Sequence, residues 1–287
     1  MKIAHLILAH AEPEQLERLI HKLQHEDACF FVHLDKKADI HYFEFLMKIA
    51  RVRFIPERVN VRWGAYSIVQ ATINGFRAIQ NSGVEIGIIN LLSGSDYPIK
   101  NPKEIHNFFK ENEGQNFMEF RLVYHEWEEA IPRITRYHLD NYAFPGKYLL
   151  QKYLHKLAPL RQMPNGLIPV GRSQWMSLTM ESVKYILDYL DRNANVASFF
   201  RLTWAPDEMI FQTILYNSDF RTKISNNNLR YIDWAEGKAS PKTLSMEDAD
   251  KLIQSGSLFA RKFDLKAHPE LFDFIDGIIA DFDRKPL

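Results

Sequence analysis

Two adjacent carboxylates, Asp207 and Glu208, stand between Trp204-Ala205-Pro206 and the apolar run Met209-Ile210-Phe211. Proline suits the first turn of a helix, where its missing N–H costs nothing. The spacing therefore predicts a helix that starts at Pro206 and carries both acids in its first turn. Two carboxylates held there are a rigid place to keep a general base. The alternative is that both acids complement the helix dipole, with Asp207 chiefly capping or orienting the helix.

Other polar groups fall where strands should end. His33 and Asp35 close an apolar run that begins at Cys29, and Leu91-Leu92-Ser93-Gly94-Ser95-Asp96-Tyr97-Pro98 closes another. Small residues in the second run let the backbone turn tightly and come close to a ligand. Asp96 there either faces that ligand or caps a helix expected near Pro102. Leu258-Phe259-Ala260-Arg261-Lys262-Phe263-Asp264 sets two cations between aromatic residues, which suits a diphosphate. Arg230, inside the strand-like run Leu229-Arg230-Tyr231-Ile232, is a second candidate diphosphate ligand. For each of these the alternative is ordinary surface charge.

The elements that must position these groups follow from periodicity. Apolar runs at residues 3–8, 29–34, 53–55 and 87–92 have strand length, and residues 13–24 and 66–80 have helical spacing. This alternation predicts an α/β fold with a mainly parallel central sheet flanked by helices. Its ligands should bind beyond the carboxyl ends of the strands. A strand at 174–178 and helices at 180–192, 246–255 and 270–282 continue the pattern. The chain reads as one domain over 1–287. Residues 1–120 form a nucleotide-binding half, 121–170 an irregular insertion rich in proline, aromatic and basic residues, and 171–287 an acceptor and catalytic half with a C-terminal helix.

Composition narrows the partners. The 287 residues are 46% apolar and carry 36 Lys plus Arg against 36 Asp plus Glu, so no bulk charge points to nucleic acid or to an anionic membrane, and local clusters must do any anion binding. The single Cys29 cannot form an internal disulfide, which fits a reducing compartment. No apolar stretch reaches the roughly 20 residues of a membrane span, and the N-terminus reads as a first strand. A cytoplasmic protein is expected, with peripheral contact at the inner membrane face as an option. His5, His10, His21, His25 and His33 lack the convergent spacing of a metal site, so no metal is assigned.

In order, His33-Leu34-Asp35-Lys36, Trp63-Gly64-Ala65-Tyr66-Ser67, Ser93-Gly94-Ser95-Asp96-Tyr97-Pro98, Pro206-Asp207-Glu208 and Phe259-Ala260-Arg261-Lys262-Phe263-Asp264 resemble one family. It is that of the core-2/I-branching β-1,6-N-acetylglucosaminyltransferases and the related peptide xylosyltransferases. The resemblance covers residues 1 to about 265, and Gly171-Arg172-Ser173-Gln174-Trp175 looks like the family's segment beside the acceptor. Golgi members carry a membrane anchor, a stem and several disulfides, so this chain is expected to be a compact, anchor-less, bacterial relative.

The resemblance implies a GT-A-like, Rossmann-like nucleotide-sugar fold and inverting transfer from a UDP-sugar to a hydroxyl of a glycan or lipid-linked saccharide. N-acetylglucosamine leads as the donor sugar, with xylose, glucose and galactose behind. Glu208 matches the base, Asp35 and His33 the nucleoside contact, and Arg230 and Lys262 the side chains that replace a divalent metal at the diphosphate. Glu119, Trp175 and Asp96 fall on the acceptor side, where Trp175 would stack on a sugar face. Asp248-Ala249-Asp250 and Asp281-Phe282-Asp283 have the wrong context for a metal motif and read as solvated faces. Arg133 and Arg136, with Trp127, Tyr137 and His138, suggest an anionic or lipid-linked acceptor, or plain surface. Two other classes stay open: a non-catalytic nucleotide-sugar or glycan-binding module, and a metal-dependent glycosyltransferase of another lineage.

Overall fold

The computed structural model describes residues 1–284, with the side chains of 281–284 left undescribed. The Asp281-Phe282-Asp283 side chains and residues 285–287 thus lie outside the described residues. The strands are β1 (Ile3–Ala9), β2 (Ala28–Leu34), β3 (Val52–Phe54), β4 (Ile88–Ser93), β5 (Tyr97–Pro98), β6 (Asn116–Leu122), β7 (Val170–Thr179), β8 (Ile224–Ser225), β9 (Arg230–Ile232) and β10 (Phe259–Arg261). The helices are α1 (Pro13–Lys22), α2 (Tyr66–Gln80), α3 (Pro102–Glu111), α4 (Ile131–Thr135), α5 (Lys147–Leu157), α6 (Met180–Arg192), α7 (Ala194–Phe200), α8 (Ile210–Tyr216), α9 (Ala249–Gln254) and α10 (Pro269–Arg284).

The main sheet runs β3-β2-β1-β4-β7-β6-β8, and β5-β10-β9 form a small second sheet. β1, β2, β3 and β4 are mutually parallel, while β7 is antiparallel to both its neighbours. The expected α/β architecture with a mainly parallel sheet is therefore present. Neighbouring residues of one strand point to opposite faces. Leu6, Phe31 and Leu91 accordingly pack with Phe76, Ile186 and Phe211 on one side of the sheet. On the other side Ile7, Phe30 and Leu92 pack with Leu16, Ile105 and Phe272. Each such side chain contributes roughly 1.5–3 kcal/mol by leaving water. With apolar layers on both faces, the carboxyl-end edge of the parallel strands is left as the place for polar chemistry.

Several expectations need correction. The proposed helix at Pro206 is a separate 3-10 turn, Pro206–Glu208, and α8 begins only at Ile210. Ala205 before it is left-handed (φ 47°) and Met209 after it is non-helical, so the two acids sit on a kinked connector. The insertion at 121–170 is less irregular than its prolines suggested, because it contains α4 and α5. Asp248 is buried rather than solvated. It accepts Lys242 Nζ at 2.8 Å and the backbone N–H of Ser245 at 3.1 Å, closing the turn before α9. Among the described residues, no helix is long and apolar enough to cross a membrane.

Candidate active site

The strand ends set the floor of the site. β1, β2 and β4 finish side by side at Ala9, Leu34 and Ser93, where Asp35 N donates to Ala9 O (2.8 Å) and Gly94 N to Leu8 O (3.1 Å). Asp35 is nearly buried. Its Oδ1 accepts the Lys37 N–H (2.9 Å), its Oδ2 lies 3.5 Å from Lys37 Nζ, and Arg58 donates to the Leu34 and Asp35 carbonyls. The loop that carries Asp35 is thus held from beneath. His33 plays a different part from the expected nucleoside contact. Its ring is buried, and Nε2 accepts the Val59 N–H at 3.0 Å, so it braces the neighbouring loop. Burial lowers its pKa and keeps it neutral.

Beyond β4 the chain turns through Ser93-Gly94-Ser95-Asp96. Asp96 is fully buried and accepts both the N–H and the hydroxyl of Ser93 at 2.9 Å. It does not cap α3, because Asn101 and Glu104 form a reciprocal capping box there. Instead Asp96 Oδ1 lies 3.3 Å from Arg261 Nε, and the Arg261 guanidinium covers the Trp175 ring at 4.2 Å. Trp175 is buried under that cation, so its face is not open to a sugar.

Arg230 is buried too, and its donors point inward to Asn90 Oδ1, the Asn228 carbonyl and the Leu91 carbonyl (2.7 Å). Burial works against its charge, and Asp96 opposes that effect. This guanidinium ties β9 to β4, leaving only Nε without a partner. Lys262 contrasts with it. Its side chain is half-buried, and among the described residues its ammonium meets no carboxylate. Of the two expected diphosphate cations, Lys262 is the one left unpaired.

Glu208 lies on the Pro206–Glu208 turn. Two glycines let the connector come close. A Cβ on Gly171 of β7 would overlap the Glu208 carbonyl oxygen and lie 2.9 Å from Met209 Cα. Gly64 (φ 69°) faces Trp204 across 2.8 Å from where a Cβ would sit, and its carbonyl accepts the Ala205 N–H at 2.8 Å. The Trp63-Gly64 and Gly171-Arg172 motifs are therefore the two seats of the Pro206–Glu208 turn.

Glu208 Oε2 accepts Arg133 Nη1 at 2.7 Å, with the two side chains 32% and 18% exposed. Arg133 in turn lies over the rings of Trp204 (4.4 Å) and Trp127 (4.7 Å). Arg172 approaches the same Trp127 ring at 5.7 Å, and its Nε lies 4.0 Å from Glu119 Oε1. Glu119 Oε2 accepts Asn228 Nδ2 at 3.1 Å. Next to it opens a polar cleft of about 590 Å³ lined by Glu119, Arg121, Glu126, Asn226, Asn228 and Arg230. One set of contacts thus joins Glu208 to Glu119 and to the buried Arg230.

The two acids of the connector differ. Burial raises the Glu208 pKa and so its basicity, and Arg133 and then Arg172 oppose the rise. Asp207 is buried and has an Oδ1 without any partner. Burial and the charge of Glu208 push its pKa well above the carboxylate range, against a backbone hydrogen bond and Arg133.

Arg133 and Arg172 were the partners hardest to read from sequence. In the sequence Arg133 stands in the insertion as a candidate acceptor contact and Arg172 within a motif. The available signal was the presence of Trp127 and Trp204 in the same segments, since arginines stack on indoles. Among the described residues no group of three or more His, Cys, Asp or Glu is gathered for a metal ion.

A family model described as Core-2/I-Branching enzyme matches residues 3–253. Xylosyltransferase 2 of Rattus norvegicus is 26% identical over 305 residues, covering 96% of this chain and 33% of its own length. A xylosyltransferase of Ciona intestinalis is 23% identical over 296 residues, covering 96% and 34%. The chain spans about a third of the length of these curated relatives. Among solved structures, the apo form of mouse xyloside xylosyltransferase 1 superposes with a TM-score of 0.40 at 10% identity, over 90% of this chain and 97% of that one.

Proposed function

The chain belongs to the Core-2/I-Branching enzyme family, and from that premise we propose that it transfers a sugar, with inversion, from a UDP-sugar to a hydroxyl of a glycan acceptor. The observation that carries this reading is the Glu208 carboxylate. It is partly buried, raised in basicity and held at 2.7 Å by Arg133, whose contacts run through Trp127 and Arg172 to Glu119 in the polar cleft. A base of this kind takes the acceptor proton as the oxygen attacks the anomeric carbon opposite the departing diphosphate. An acceptor hydroxyl entering beside Glu119 and Asn228 would displace Arg133 from Glu208 or share the carboxylate with it.

Negative charge grows on the diphosphate as it leaves, and fixed cations lower that barrier. Lys262 is the direct countercharge in this proposal, because its ammonium is unpaired among the described residues. Arg230 and Arg261 contribute field from the buried layer beneath, where Asp96 offsets one of their charges. Transfer without a divalent metal is part of the same reading. UDP-N-acetylglucosamine is the donor that the motifs favour, and UDP-xylose is the alternative that the names of the curated relatives favour.

The test is Glu208→Gln, assayed with both donors in EDTA. The variant is expected to keep its melting temperature and its UDP-induced stabilisation while losing turnover by about 10²–10⁴-fold. Near-normal turnover in a folded Glu208→Gln protein refutes the assignment. Stabilisation by UDP that vanishes in EDTA and returns with manganese refutes the metal-free part.

A further inference from the structure

The insertion carries a surface that the transfer reaction does not use. None of the residues of α5 is buried, although it spans 11 residues. Two of its polar side chains face inward: Gln151 Oε1 accepts the Leu139 N–H at 2.7 Å, and His155 Nε2 lies 2.8 Å from the Tyr137 carbonyl. Apart from the half-buried Leu154, its apolar side chains face out. Tyr148 is 65% exposed, Leu157 82% and, just beyond the helix, Leu160 69%. More than half of the large apolar side chains that stand exposed among the described residues lie in residues 141–169. At about 100° per residue, Leu149, Leu150, Tyr153 and Leu157 share one arc, and Lys152 and Lys156 line its edge.

Charge decides what covers this face. Residues 141–180 contain no Asp or Glu, whereas Lys147, Lys152, Lys156 and Arg161 lie on or beside the helix. A second copy docking through the same patch would set these lysines against their own counterparts, because a two-fold contact is self-complementary. A lipid surface of negative charge accepts the apolar arc and the lysine edge together. The face is also rigidly joined to the site. Arg161 donates to the Leu202 carbonyl (2.6 Å), the Arg136 carbonyl (3.0 Å) and the Phe199 carbonyl, just before Trp204 and the Glu208 turn.

We infer that α5 and its flanking loops dock the protein on an anionic lipid bilayer, which holds the segment leading into the Glu208 turn close to the membrane surface. The inference goes beyond the transfer reaction, and its test needs no turnover. The chain would be floated with vesicles of phosphatidylcholine alone and with vesicles of phosphatidylcholine mixed with phosphatidylglycerol. Binding is expected only to the anionic vesicles and should weaken as salt rises.

Lys152→Gln combined with Lys156→Gln should weaken binding by roughly 30-fold, from about fivefold for each cation at the surface. Leu149→Ser, Tyr153→Ser and Leu157→Ser together should abolish it. All these side chains are outward-facing, so the melting temperature should stay at the wild-type value and confirm folding. No binding to anionic vesicles, or undiminished binding by either variant, overturns the inference. So does a dimer in sedimentation velocity that the serine variant dissolves, because the face would then belong to a second copy.

Discussion

Replacing Arg133 by glutamine tests the reasoning about Glu208 most directly. The change removes a cation 2.7 Å from Glu208 Oε2 and leaves a polar side chain in its place. Charge centres about 4 Å apart attract by about 4 kcal/mol at an effective dielectric of about 20. Fully exposed pairs retain only about 1 kcal/mol or less. At 18% and 32% exposure this pair lies between those limits, and about 2 kcal/mol is a fair figure. Losing that attraction moves the Glu208 pKa further up.

The sign follows from the two opposing effects. Burial already raises the pKa and Arg133 lowers it, so removing Arg133 leaves burial opposed only by Arg172. A base works when ionised, so the acidic limb of the kcat/KM profile should shift to higher pH. The rate should recover toward the alkaline side. The carboxyl then binds its proton more tightly folded than unfolded. The variant's loss of stability should therefore be largest above the new pKa and fade as the pH falls. The assay is a pH–rate profile of Arg133→Gln beside the wild type, with melting temperatures across the same range. A uniform drop in rate with an unmoved limb would mean that Arg133 acts through packing on Trp127 and Trp204. An unmoved profile with unchanged rate would remove Glu208 as the titrating base.

Three further outcomes are expected. Lys262→Ala should weaken UDP-induced stabilisation and slow transfer at a cost of about 2–4 kcal/mol in the transition state, with Lys262→Arg restoring only part, as read by melting shifts and kcat; wild-type kinetics would move the diphosphate site. Asp207→Asn should stabilise the fold above the ordinary carboxylate range and flatten its pH dependence there. The buried carboxyl, with its raised pKa, makes the wild type lose stability as pH rises through that window; a melting temperature that falls at neutral pH would show that the Asp207 charge is needed. Gly171→Ala should cost about 1–3 kcal/mol or more by overpacking and lower turnover more than UDP binding, because its Cβ would press on the backbone of Glu208 and Met209; unchanged turnover would mean that β7 does not fix the turn.

The order of elements was legible in the chain because strand and helix periodicities are local properties. The parallel strands β1, β2 and β4 and the helices α2 and α6 fall where the apolar spacing put them. So does the principle that polar residues at the ends of those strands should share one edge, as Asp35 and the Ser93-to-Asp96 turn do. The Pro206-Asp207-Glu208 step was visible as a pair of acids held by a proline, though its 3-10 form was not, since Ala205 takes its left-handed conformation from the packing around it.

Partner choice was not legible, because it depends on which distant surfaces meet. Nothing in the spacing said that Gly171 would lie against the Glu208 backbone, or that Arg133 from the insertion would reach the carboxylate across 75 positions. Arg230 and Arg261 looked alike as candidate phosphate ligands, yet burial turned Arg230 inward onto Asn90 and laid Arg261 over Trp175. A buried charge must find fixed partners, whereas a half-buried one can stay free. Only the tertiary packing decided which cations met partners and which, like Lys262, met no carboxylate among the described residues.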